Sequence, residues 1–180
     1  MTILFTLLAP ELITFLFETE GVSYENAVLP FQLYNLIVLI RVTHYGSILQ
    51  AFGDTKGVFY FSLNLLVANV ILSVPMTIYF GIVGTALGTL IANLYNWLLL
   101  LRRIGTHMDL PFWKVLPFPF YGKVLALSVG IGLLMFMVKE YLLMNIVPLY
   151  AILSISLVYL VIYVVASRFI GLISQEDWTT

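Results

Sequence analysis

The stretch from residue 58 to residue 103, VFYFSLNLLVANVILSVPMTIYFGIVGTALGTLIANLYNWLLLLRR, decides how this chain folds. From Val58 to Leu101 it contains no Asp, Glu, Lys or Arg, and Gly81 stands near its middle. An α-helix needs ~20 apolar residues to cross ~30 Å of hydrocarbon, so two crossings fit, Val58 to Phe80 and Ile82 to Leu101. With Gly81 as the connection, the stretch reads as a tight helical hairpin. Gly84, Gly88, Ala92 and Asn96 recur every four residues along the second limb. Such a stripe of small residues lets helix backbones approach closely, and it is read as a packing signal. Asn64 and Asn69 in the first limb, and Asn93 and Asn96 in the second, either bond between helices or line a polar path.

The whole chain has the same character. It is 62% hydrophobic and 9% charged, with a mean hydropathy of +1.06 over 180 residues. An ordinary soluble domain carries roughly 25% charged residues, so a water-facing surface cannot be assembled from this composition. The class is all-α, an integral membrane helical bundle of about six transmembrane helices. A net charge of -1 with no clustered basic face speaks against a nucleic-acid partner. The absence of cysteine removes disulfides, thiolate catalysis and cysteine-ligated metals.

Outward from the hairpin, the segment Phe52-Gly53-Asp54-Thr55-Lys56-Gly57 has the glycines and the Asx residue of a tight reversal. Before it, Ala27 to Ala51 forms the second span, the most polar of the set, carrying Gln32, Asn35, Arg41, His44 and Gln50. The first span, Ile3 to Phe17, is short and interrupted by Pro10 and Glu11, and reads as a truncated helix. After Arg102 and Arg103, the stretch 104–119 mixes prolines, aromatics and charges and is expected as an interfacial loop, with His107 in it. Phe120 to Val138 is the fifth span, Lys139 to Asn145 a connection, Ile146 to Ile170 the sixth span, and Ser174 to Thr180 a polar tail. The expected grouping is four helices in residues 1–103, the loop 104–119, and a final helix pair with its tail in 120–180.

Lysines and arginines orient such a bundle. Lys56, Arg102, Arg103, Lys114, Lys123 and Arg168 fall on one side and only Lys139 on the other. This places both termini in the cytoplasm and the acidic segment of Glu18, Glu20 and Glu25 outside, as expected for a multi-pass protein of the cytoplasmic membrane.

Arg41 is the leading candidate site residue, because it lies about ten residues from either end of its span, where a charge costs roughly 3 kcal/mol. It either faces a hydrated cavity and binds an anionic group such as a phosphate, or it forms an internal ion pair with Glu11 or bonds backbone carbonyls. His44, three residues on, lies within reach of the same side and either helps bind an anion or bonds between helices. Gln32 completes the candidate substrate-binding set. Glu11, beside Pro10, either lines a break in a helix and binds a coupling cation or sits near a helix end. Two histidines without ligand spacing give no metal site. No nucleophile with its base, no catalytic carboxylate pair and no phosphate loop is present, so neither an enzyme nor a cofactor is expected. A membrane glycan polymerase or glycosyltransferase needs a long acidic extramembrane loop, and no loop here is long enough.

Three stretches carry a family resemblance: LLAPELITFLF from Leu7 to Phe17, ILQAFGDTKG from Ile48 to Gly57, and YFGIVGTALGTLIANLYN from Tyr79 to Asn96. In order and spacing, over roughly the first two thirds of the chain, they resemble polysaccharide flippases of the multidrug, oligosaccharidyl-lipid and polysaccharide exporter superfamily. The resemblance implies the C-terminal part of a two-lobed exporter with a cationic central cavity. It further implies export of an undecaprenyl-pyrophosphate-linked glycan across the cytoplasmic membrane for surface polysaccharide synthesis, by alternating access. A drug or cation-coupled exporter of the same superfamily, or a non-transporting assembly partner in the membrane, is the alternative. A single partial lobe cannot enclose a two-lobed cavity, so a missing N-terminal lobe or a partner chain is implied. The chain is expected to be a fragment of a longer protein, a split product, or an inactive remnant.

Overall fold

The computed structural model describes residues 1–17, 24–41, 43–142 and 148–169. Their regular structure is helical throughout, with no strand among the described residues. Four helical segments are long and apolar enough to cross a membrane: Glu25–Ala51, Thr55–His107, Phe118–Lys139 and Ile152–Phe169. Between 6% and 17% of their most apolar windows is buried within the protein, so the apolar side chains mostly face outward. Tyr79, for example, is 81% exposed. Continuous apolar exteriors of this kind suit hydrocarbon as solvent. Glu18, Glu20, residues 143–145 of the expected connection and the polar tail lie outside the described residues, while Lys139 to Leu142 continue the preceding helix.

The chain divides into two compact units, one of residues 3–25 with 119–180 and the other of residues 26–118. The stretch 1–103, expected as one group of four helices, is therefore shared between them.

In the first unit, α1 (Thr2–Leu7) and α2 (Ala9–Phe17) share a core with α6 (Phe118–Leu142) and α7 (Pro148–Phe169). Leu4 and Leu8 are buried against Ile131, Met135, Ile155 and Tyr159. Pro10 falls in the first turn of α2, where a helix has no use for the missing N–H. The backbone ladder still passes the interruption at Leu8, whose N–H donates to Leu4 O and whose carbonyl accepts from Leu12, both at 2.9 Å.

The second unit is built on α5 (Thr55–His107), two helical limbs that double back on each other at Gly81. Gly81 has φ 60° and ψ −142°, a conformation essentially reserved for glycine. The expected hairpin and its one-residue connection are thus observed. All four residues of the small-residue stripe are buried. A Cβ on Gly88 would stand 2.6 Å from Ser73 Cα, and one on Gly84 would overlap the Met76 carbonyl oxygen. A hydroxyl and amide ladder joins the limbs beside this stripe. Thr77 and Thr85 hydroxyls lie 2.8 Å apart, Ser73 and Thr89 hydroxyls 3.4 Å apart, and Ser73 donates to Asn69 at 2.7 Å.

The reversal before α5 has the expected form, with Gly53 at φ 76°. Asp54 caps the helix by accepting the Gly57 N–H at 3.0 Å. Gly57 is needed for space rather than for backbone freedom, because a Cβ there would lie 2.5 to 2.8 Å from the Asp54 carboxylate. At its other end α5 continues through His107, into the stretch expected as loop. It stops where Asp109 takes φ 52° and the Leu110 N–H turns back to Gly105 O at 2.9 Å. Phe112, Val115, Leu116 and Phe118 then pack against a core of Tyr45, Leu49, Leu101 and Ile104.

Candidate functional site

The second expected span is not one continuous helix. It consists of α3 (Val28–Ile40) and α4 (Tyr45–Ala51), and the helix stops at Arg41, which has φ −86° and ψ 55°. Arg41, expected about ten residues from either end of its span, thus stands at a break between two helices.

The break opens on a recess of about 470 Å³, walled by the two ends at the break, by the second limb of α5 and by Leu65 of its first limb. Arg41, His44, Ser47, Gln50, Asn93 and Asn96 are among its polar lining residues. Among the lining residues there is no carboxylate, so the one permanent charge is the Arg41 guanidinium. Arg41 Nη2 donates to Asn93 Oδ1 at 3.3 Å, a long bond to a neutral acceptor. Asn93 is itself held by donating Nδ2–H to Thr89 O at 2.8 Å. Asn96 is 7% exposed, and its Oδ1 has no hydrogen-bond partner among the described residues.

The break is braced from α5. Tyr45 Oη donates to the Ile40 carbonyl at 3.1 Å and accepts the Trp97 indole N–H at 2.9 Å. His44 precedes α4, and its carbonyl accepts from Ser47 and Ile48. Of the four candidate residues, Arg41 and His44 meet at the recess. Gln32 lies in α3 and does not line it.

Glu11 belongs to the other unit, where its Oε1 pairs with Lys139 Nζ at 2.7 Å. Lys139 also donates to Leu7 O at 3.4 Å. The ion partner of Glu11 is thus Lys139, not Arg41, and the second carboxylate oxygen, Oε2, has no hydrogen-bond partner among the described residues.

A separate polar cluster closes the open end of the α5 hairpin. Asp54 Oδ2 accepts from Arg103 Nε at 2.8 Å and lies 2.9 Å from His107 Nε2, while Phe52 stacks on His107 at 5.4 Å with rings 9° apart. The hydrogen bond from Arg103, then that from His107, hold the Asp54 carboxyl well below the usual carboxylate range. His107 stands in the last turn of α5, not in a loop.

No protein-family model, no curated protein and no solved structure matches this chain.

Proposed function

We propose that this chain is part of a membrane exporter that flips a lipid-linked oligosaccharide from the cytoplasmic to the outer leaflet, with Arg41 receiving the pyrophosphate of the lipid head group. The observation that carries this reading is a guanidinium at a helix break, in a recess without a carboxylate, bonded only to a neutral amide among the described residues. A charge in an apolar bundle needs an opposite charge or full solvation, and one 3.3 Å bond to Asn93 supplies neither. A phosphate presents the paired oxygens that a guanidinium fork binds best. Transporter sites are typically made by discontinuous helices, because a break frees polar backbone only where a cavity can serve it.

In this scheme the chain spans the cytoplasmic membrane about six times with both termini inside, as the loop charges indicate. The lipid tail stays in the bilayer while the head group crosses along the polar face beside α5. A second lobe, in the same longer protein or in a partner chain, supplies the opposite wall, as the family resemblance implies. Cation-coupled drug export would require a carboxylate free to bind the cation, whereas Glu11 is engaged with Lys139.

The test is Arg41→Gln in the native cell. Lipid-linked repeat units are expected to accumulate on the cytoplasmic face, with loss of surface polysaccharide, while Arg41→Lys retains part of the export. Unchanged glycan export and unchanged binding of the lipid-linked substrate by the Arg41→Gln protein would end the proposal.

A further inference from the structure

A helix break inside an apolar bundle creates two problems: a carbonyl loses its i+4 partner, and the residue at the break can wander. Here the carbonyl of Ile40 belongs to the peptide bond whose nitrogen is that of Arg41. The Arg41 N–H still donates to Ile37 O at 3.2 Å, so one side of this peptide is held by α3. The other side is held by the Tyr45 hydroxyl, 3.1 Å from Ile40 O. Tyr45 is 6% exposed and sits in the core with Leu49, Leu101 and Ile104, which fixes its ring. Its oxygen is fixed in turn by the Trp97 indole N–H at 2.9 Å, and Trp97 meets Phe118 edge-on at 6.4 Å.

The spacing of the partners is also matched. Arg41 and Tyr45 are four residues apart, and so are the residues that meet them, Asn93 and Trp97 on the second limb of α5. One helix face therefore grips both the guanidinium and the backbone that carries it.

We infer that Tyr45 and Trp97 are positioning residues for Arg41: the Trp97–Tyr45–Ile40 chain of hydrogen bonds sets the peptide from which the guanidinium enters the recess. The inference rests on the reading of Arg41 as the anion-binding group. It assigns to Tyr45 and Trp97 no contact with the ligand. Their effect on binding is exerted through Arg41, where a shift of about 1 Å in a bidentate group is enough for a large loss.

The experiment measures inorganic pyrophosphate binding by calorimetry, using the full chain in lipid nanodiscs. Tyr45→Phe removes one oxygen atom and is expected to weaken pyrophosphate binding at least tenfold, with helical circular dichroism unchanged. In the Arg41→Lys background the fork geometry is already lost, so adding Tyr45→Phe is expected to change affinity less than twofold. Should the Tyr45→Phe protein fail to fold, Trp97→Phe, which leaves the Tyr45 to Ile40 bond in place, supplies the same cycle with a loss of several-fold. A loss of equal size in both backgrounds indicates a merely structural role and overturns the inference, as does an affinity within twofold of wild type. If wild type and Arg41→Gln bind pyrophosphate equally or not at all, the anion reading of Arg41 fails, and this inference with it.

Discussion

Replacing glycine by alanine should have opposite consequences at different positions of this chain, and the hairpin geometry says which. At Gly88 the added carbon would stand 2.6 Å from Ser73 Cα, against an ordinary carbon–carbon contact of about 3.5–4.0 Å. The overlap is with backbone, so no side-chain rotation relieves it and the two limbs must separate. Overpacking of this kind costs typically about 1–3 kcal/mol. At Gly84 the new carbon would overlap the Met76 carbonyl oxygen, and the cost should be at least as large. In α6, a Cβ on Gly122 or Gly130 meets nothing within 4 Å, so alanine there gains helix propensity alone, about 0.5–1 kcal/mol. The two classes should differ by about 2 kcal/mol or more. Reversible unfolding in mixed detergent and dodecyl sulfate micelles, followed by far-ultraviolet circular dichroism, gives the comparison. If Gly84→Ala and Gly88→Ala are as stable as wild type, or shift with the same sign as Gly130→Ala, the close packing of the limbs is wrong.

Two other predictions concern charge. Lys139→Met strands the Glu11 carboxylate, whose Oε2 already lacks a hydrogen-bond partner among the described residues. A loss of about 3–5 kcal/mol in thermal unfolding is expected, mostly restored by the Glu11→Gln/Lys139→Met pair, and a neutral single variant would contradict it. Because the Asp54 carboxyl is held low by Arg103 and His107, its contribution is complete above the ordinary carboxylate pKa of about 3.9 and fades as pH falls below that toward the depressed value. Asp54→Asn should therefore lower the Tm by several degrees at neutral pH, and the gap from wild type should persist to about pH 5 and narrow only in stronger acid. A gap that grows on acidification would show the sign to be wrong.

The hairpin was legible in the sequence because its signals are local. Gly81 interrupts an otherwise continuous apolar run, and the four-residue recurrence of Gly84, Gly88, Ala92 and Asn96 lies on one helix face by geometry alone. The reversal at Gly53 and Asp54 announces itself through turn chemistry. The break after Ile40 was hidden by a hydropathy reading, since apolar content continues across it. A helix-propensity reading carried the missing signal: Val42, Thr43, His44, Tyr45, Gly46 and Ser47 are consecutive poor helix formers. The continuation of α5 to His107 was masked by the charges of Arg102 and Arg103, which read as a membrane boundary but do not end a helix.

Pairings between distant residues had no local signature at all. In the sequence Lys139 stands out only as the one basic residue on its side of the membrane, and its partnership with Glu11 is produced by the packing of the first unit. By sequence Asn93 either bonds between helices or lines a polar path, and nothing singles out Tyr45 or Trp97. Their roles depend on the register in which α3 and α4 lie against α5, which hydrophobic periodicity does not specify.

The account depends on Arg41 standing beside water at a break that accepts an anion. The natural absence of cysteine makes this directly measurable with Ser47→Cys, at an exposed position lining the recess, and Val38→Cys, on the exposed apolar face of α3. With the full chain in lipid nanodiscs, a membrane-impermeant thiol reagent should modify the cysteine at position 47 readily and that at position 38 hardly at all, and inorganic pyrophosphate should slow the former severalfold. Equal reactivity at the two positions, or a rate at position 47 that pyrophosphate leaves unchanged, would contradict the account.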